Sequence, residues 1–161
     1  MIRQPITLYT DGSSSGNPGP GGYGIVLECG NLRREISGGY LLTTNNRMEL
    51  MAVIVGLEAI RWQGADVNVV SDSSYVVKAI NEGWLTSWQA KGWKKVKNPD
   101  LWQRLAALLL RHNVRFHWVK GHAGHPQNEC CDRLAVAAGE AARQAGGPID
   151  EGYEANKEVE K

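Results

Sequence analysis

Apolar and polar positions change period several times along this chain, and each change marks an element. A short apolar run, Ile6 to Tyr9, closes on a lone Asp11, so residues 2–11 read as a strand. Residues 21–41, GGYGIVLECGNLRREISGGYL, read as a hairpin with Gly30-Asn31 as its two-residue turn. Residues 43–62, TTNNRMELMAVIVGLEAIRW, read as a helix capped by Thr44 or Asn45, with Met48, Met51, Ala52, Val55, Ala59 and Trp62 at the 3.6-residue period. DVNVVSD (66–72) is a short buried strand and SSYVVKAINEG (73–83) a short helix. Asn98-Pro99-Asp100 opens a further helix, whose stripe is Leu101, Leu105, Leu108 and Leu109. VRFHWV (114–119) is another strand, and a last helix starts near Pro126 with Leu134, Ala135, Ala138 and Ala142 inward. The order β-β-β-α-β-α-α-β-α predicts an α/β fold, a mixed sheet with helices on its faces. In such sheets ligands gather at the carboxyl ends of the parallel strands.

Composition narrows this picture. With 161 residues the chain is long enough for one domain with a core of its own. No run of 18 apolar residues and no leader-like start occurs, so neither a membrane span nor secretion is expected. The three cysteines, Cys29, Cys130 and Cys131, make a poor disulfide framework, and a reduced, cytoplasmic setting is expected. The net charge of +1 hides an asymmetry. Residues 84–104 hold five positive side chains against Asp100 alone, whereas residues 146–161 hold five acids against two lysines. The first stretch suggests a face for a polyanion; the second reads as an acidic, mobile tail with almost no core residues.

The candidate chemistry lies in four acids. Asp11 and Asp72 each close a predicted strand, so both belong at the carboxyl rim of the sheet. Glu49 lies in the predicted first turn of the long helix, one position off its apolar stripe, and Asp132 lies early in the last helix. Any one of them alone would suit a cap or a solvated surface. Together on one rim they would repel by about 4 kcal/mol per pair at ~4 Å and an effective dielectric of ~20. Protons or cations must relieve that repulsion. Oxygen ligands select Mg²⁺ or Mn²⁺ over zinc, and a pair of such ions suits in-line attack on a phosphodiester.

Three other segments carry possible chemistry. The loop GSSSGNPGPGG after Asp11 is no phosphate-binding P-loop, for it has no lysine and runs into a strand. Its glycines either admit a ligand close to the backbone, with Ser13, Ser14 and Asn17 as donors, or simply connect two strands. GWLTSWQAKGWKKVKNPDLW holds Trp84, Trp88, Trp93 and Trp102 with lysines between them. The rings either stack on sugars or bases while the lysines meet phosphates, or they pack into the core; the leucine stripe favours the core for Trp102. In WVKGHAGHPQNE, His122 is placed to move protons beside the rim, or is an ordinary surface histidine, and His125 suits a structural role before Pro126.

Taken together, YTDGSSSGNPGPGGYG, TTNNRMELMA, SDSSYV, KNPDLW and WVKGHAGHPQNE followed by CCD resemble the bacterial type 1 ribonuclease H family, from about residue 4 to about residue 140. The resemblance implies a ribonuclease H domain over 1–145, followed by the tail 146–161. It implies a five-stranded mixed sheet of order 3-2-1-4-5 with helices on both faces. It also implies an endonuclease that hydrolyses the RNA strand of RNA–DNA hybrids with two Mg²⁺ ions (Mn²⁺ being an alternative), leaves 5′-phosphate and 3′-hydroxyl ends, and works as a monomer. By motif position, Asp11, Glu49, Asp72 and Asp132 resemble the metal-binding catalytic acids, and His122 the catalytic histidine that aids proton transfer or product release. Asn17, Asn45 and Asn46 match positions that meet the RNA minor groove. Thr44 and Asn98 match a pocket for a DNA phosphate, though Asn98 competes as a helix cap, and Trp84 and Trp88 match an aromatic wall against DNA sugars. Ser74, Gln89-Ala90 and a short loop before Asn98 depart from the family pattern, which implies weaker, more salt-sensitive hybrid binding. The readings set against this are a non-catalytic hybrid binder, another nuclease of the same fold, and a small nucleotide-binding protein.

Overall fold

A computed structural model of the chain describes residues 4–120 and 125–156. Five strands form one sheet: β1 (Ile6–Ser14), β2 (Gly19–Cys29), β3 (Leu32–Thr43), β4 (Asp66–Ser71) and β5 (Asn113–Trp118), in the order β3-β2-β1-β4-β5. The first three pair antiparallel, while β1–β4 and β4–β5 are parallel. Gly30-Asn31 makes the expected tight turn, with Cys29 opposite Leu32 and Gly30 at φ 60°.

Helices cover both faces because β1 alternates. Leu8 packs under α1 (Asn45–Glu58), where it meets Gly56, while Tyr9 points the other way to Val26 and Cys131 under α5 (Pro126–Ala145). Between β4 and β5 run α2 (Ser74–Asn81), α3 (Trp84–Ala90) and α4 (Pro99–Leu109). Leu101, Leu105 and Leu108 of the expected stripe are buried in α4, and so are Trp102 and Ala106.

The structure departs from the sequence reading in four places. β1 does not stop at Asp11; the hairpin with β2 carries it on to Ser14. α1 ends at Glu58, so Ala59 and Trp62 lie beyond it. It is also buried almost all round, because β1 and β2 lie against it and α4 packs on it too, and no single apolar stripe describes it. A third helix, α3, stands where one connection was expected. Finally, the segment after residue 145 is docked on the body of the domain through polar contacts. Asp150 is 7% exposed, Leu41 donates its amide to the Pro148 carbonyl at 3.1 Å, and α6 (Glu151–Asn156) follows.

Candidate active site

The parallel pairing of β1 with β4 ends at Thr10 opposite Ser71. Asp11, still within β1, and Asp72, just past the end of β4, are the next residues along the chain, so the register sets them side by side at the carboxyl rim. β1 continues beside β2, with Asp11 opposite Gly24, and the Gly12 amide donates to Asp11 Oδ1 at 2.9 Å. Gly12 also governs the distance to α1. A Cβ there would lie 2.3 Å from the Met48 carbonyl carbon and 2.4 Å from the Glu49 nitrogen, so only glycine lets the strand meet the helix this closely. Glu49 is the fifth residue of α1, in its second turn rather than the first, and it reaches the rim from there.

These acids converge. One carboxylate oxygen from each of Asp11, Glu49 and Asp72 lies within 4.8 Å of the others. Asp11 and Glu49 are buried, at 7% and 6% exposure, and Asp72 is half-buried. Burial first, and then the negative charge of Asp72, pushes the Asp11 carboxyl up to about 7. Burial, then Asp11 and Asp72, raises Glu49 well above the ordinary glutamate range. Glu49 Oε2 is buried with no hydrogen-bond partner among the described residues. A buried carboxylate oxygen without a partner, on a residue grouped with two other carboxylates, fits a hard divalent cation, which would remove both the repulsion and the missing partner.

Asp132 occupies the second turn of α5 and is half-buried. Its charge adds to the rise at Asp11, but it stands outside the tight three-acid group. The helix bearing it is seated by its neighbour: the Cys131 thiol donates to the Tyr9 carbonyl at 3.2 Å, and burial raises that thiol far above the ordinary range. Gly24 lies directly beneath the Cys131 carbonyl, where a Cβ would approach to 2.1 Å. Gly12, Gly22 and Gly24 therefore serve the contact of helix with sheet, while Gly16 and Gly19 meet only the loop's own backbone. His122 lies outside the described residues. His125 holds the capping position of α5 without a side-chain cap.

The expected substrate contacts form three groups. Asn17 Oδ1 accepts the Asn45 amide at 3.0 Å, which ties the first hairpin to the start of α1, where Asn45 and Asn46 are exposed. Thr44 is the α1 cap, its Oγ1 accepting from the Arg47 amide at 3.3 Å. Asn98 is buried at the capping position of α4 but makes no side-chain cap, so the competing reading of it as a cap fails. Its Oδ1 instead accepts from Arg47 Nη1 at 3.2 Å and its Nδ2 donates to Tyr75 Oη at 3.2 Å.

Arg47 joins the second group, and sequence reasoning missed it. All five of its N–H donors are used. Nε and Nη2 meet Asp150 at 2.8 and 3.1 Å, Nη1 and Nη2 meet Asp100 at 3.0 and 2.7 Å, and Nη1 meets Asn98. Burial would lower its pKa, but the two carboxylates hold it above the usual arginine value. The one available signal was a guanidinium directly before the apolar positions Met48, Leu50 and Met51 of the helix.

From α3 to α4 the tryptophans grade from water to core. Trp84 is 41% exposed, Trp88 half-buried and Trp102 fully buried. Ring centroids lie 6.4 Å apart for Trp84–Trp88 and 5.2 Å for Trp88–Trp102, and the Trp102 indole donates to Tyr75 Oη at 3.0 Å. Trp88 and Val96, with Lys91, Lys94 and Lys95, line an open cleft of about 600 Å³. A polyanion would find aromatic and cationic groups together there.

Comparison with known proteins identifies the family. Residues 3–140 match the RNase H family model, and the chain belongs to the ribonuclease H family. It is 57% identical over 150 residues to a ribonuclease H of Desulforamulus reducens, covering 90% of this chain and 92% of that protein. To a ribonuclease H of Rippkaea orientalis it is 55% identical over 160 residues, covering 96% and 95%. Among solved structures, LC9-RNase H1, a type 1 RNase H with the type 2 active-site motif, superimposes with a TM-score of 0.81 at 36% identity, over 96% of this chain and 81% of that one. LC11-RNase H1 in complex with an RNA/DNA hybrid gives 0.65 at 28% identity, over 85% and 98%. The sheet order that the resemblance implied is the order found, and the chain is a ribonuclease H by family.

Proposed function

We propose that this chain hydrolyses the RNA strand of RNA–DNA hybrids endonucleolytically, leaving 5′-phosphate and 3′-hydroxyl ends, with two divalent ions, Mg²⁺ in the first place and Mn²⁺ as a substitute. The observation that carries this reading is the three-acid group at the rim, with Glu49 Oε2 buried and unpartnered among the described residues. The relative crystallised with an RNA/DNA hybrid supports the substrate.

Asp11, Glu49 and Asp72 would hold the ions, with Asp132 completing the set. Bound there, divalent cations supply a water of lowered pKa and neutralise charge on the leaving oxygen. The chain's own part is to place the strand. Asn17, Asn45 and Asn46 meet the RNA minor groove, where the 2′-hydroxyl separates RNA from DNA. Thr44 and Asn98 hold a phosphate of the DNA strand from the Arg47 framework, and Trp84 and Trp88 lie against its sugars. His122 takes or gives the proton at the reacting oxygen. With Ser74 and Gln89-Ala90 where longer or basic side chains would grip, hybrid binding is weaker than in a relative that keeps them.

The three thiols are unbonded, which supports a reducing, cytoplasmic setting. No helix among the described residues is long and apolar enough to cross a membrane. We assign the chain as a monomer. The test is cleavage of four matched substrates (hybrid, double-stranded RNA, double-stranded DNA and single-stranded RNA) with Mg²⁺ and with EDTA, with end-group analysis of the products. Cutting of the hybrid's RNA strand alone, abolished by EDTA, is the expected result. Equal cutting of double-stranded DNA, or cutting in EDTA, would overturn it.

A further inference from the structure

β5 ends on Trp118, which stands in register with Ser71 of β4. Its indole N–H donates to the Asp72 main-chain carbonyl at 3.1 Å, so the ring is pinned to the backbone of one of the three grouped acids. Side chains on this face of β5 run from half-buried Val114 through buried Phe116 to Trp118, which is 54% exposed. Helix α2 packs across the strand, Asn81 Nδ2 donating to the Phe116 carbonyl at 3.2 Å, but it begins only at Ser74. At that end Trp118 forms one wall of a cleft of about 310 Å³, and Ser74, Val77 and Lys78 form the others. Val77 is buried, whereas Ser74 and Lys78 are exposed residues of the cleft lining.

The sequence reading left Trp118 and Lys78 without a role. A held indole face, a cation and a hydroxyl around one opening match a nucleotide: base on the ring, phosphate on the ammonium. The base must be unpaired, because bases inside a duplex already stack on their neighbours. The cleft adjoins Asp72, hence the strand being cut. We propose that the Trp118–Lys78 cleft is a subsite for the first unpaired nucleotide of a single-stranded RNA extension that leaves the hybrid beside the cut. The inference rests on the hybrid-cutting reading above. It adds a substrate class, hybrids that end in single-stranded RNA.

Two measurements on the full chain test it. In EDTA, single-stranded oligouridylate is titrated against the tryptophan fluorescence of the wild-type chain, Trp118→Phe and Lys78→Ala. Saturable quenching is expected for the wild type. It should be lost in Trp118→Phe, and in Lys78→Ala it should be weakened with a flatter salt dependence. In Mg²⁺, kcat/KM is compared for blunt hybrids and for hybrids with a short RNA extension at either end. The wild type should favour one extended end by roughly 10-fold, through KM, as one stacked base provides. Trp118→Phe should reduce that ratio and Lys78→Ala should lower it further towards one. Unchanged quenching in Trp118→Phe, or no preference for an extension, would overturn the subsite. An equal gain from a DNA extension would overturn its assignment to the RNA strand. Failure to cut any hybrid would overturn the hybrid-cutting reading instead, while the EDTA titration would still decide the cleft.

Discussion

Arg47 on α1 and Asp150 lie 103 residues apart in sequence and meet at 2.8 Å in the interior. The same carboxylate accepts from Thr43 Oγ1 at 2.5 Å. The C-terminal segment is thus fastened beneath the residues that open α1. Removing one partner of a buried ion pair leaves the other charge desolvated, at a cost of about 3–5 kcal/mol. Asp100 remains as a second partner, so Asp150→Ala should lower stability by about 3 kcal/mol in urea unfolding, and hybrid affinity should fall with it through Thr44 and Asn98. A loss under about 1 kcal/mol would mean that the clasp is ornamental.

The rim acids set a pH dependence whose sign can be worked out. Asp11 is raised from an ordinary aspartate value to about 7, with Glu49 raised as well, so between about pH 4 and pH 7 the folded chain binds more protons than the unfolded one. Stability without metal therefore falls as pH rises across that window. In EDTA, Asp11→Asn should equal the wild type near pH 4 and exceed it at pH 8 by on the order of 2 kcal/mol, since a tenfold change in proton affinity corresponds to about 1.4 kcal/mol. Mg²⁺ should restore the wild type and leave the variant unmoved. Denaturant titrations at the two pH values measure this.

Asp11→Asn should also abolish Mg²⁺-dependent cleavage while hybrid binding in EDTA persists. Retention of more than about a tenth of the rate, about 1.4 kcal/mol of barrier, would contradict a central role.

Gly12 is a sharper probe of geometry than any acid. Gly12→Ala keeps every carboxylate but places a methyl against the Met48 carbonyl carbon, 2.3 Å away. α1 must move back and carry Glu49 with it. Stability should drop by about 1–3 kcal/mol and cleavage by more than about 10-fold, with no change in substrate preference. Wild-type Mg²⁺ affinity by calorimetry in this variant would argue against the close approach.

The aromatic series separates binding from folding. Trp84→Ala, at an exposed ring, should weaken hybrid binding and leave the melting temperature nearly in place. Trp102→Ala should cost about 3–5 kcal/mol of stability. Each of Lys91→Gln, Lys94→Gln and Lys95→Gln should reduce the salt slope of binding by about one if these lysines meet phosphates. Binding isotherms across several salt concentrations read this directly.

Much of this molecule is written locally. The hairpin at Gly30-Asn31, the Thr44 cap and the strand ending in Ser71-Asp72 each depend on neighbours a few residues away, and such neighbours leave a period or a turn signal. Asp11 and Asp72 stood out for the same reason, since a charge that closes an apolar run is conspicuous, whereas Glu49 and Asp132 were singled out by their places early in predicted helices and by the family resemblance. Only the tertiary structure set Asp11 beside Asp72, because that adjacency is a matter of register between strands about 60 residues apart. It alone drew Glu49 in over Gly12, a contact of backbones that no side-chain pattern records. It alone turned Asp150 from an apparent tail residue into a partner of Arg47, because an ion pair formed across 103 residues leaves no periodic trace in either segment.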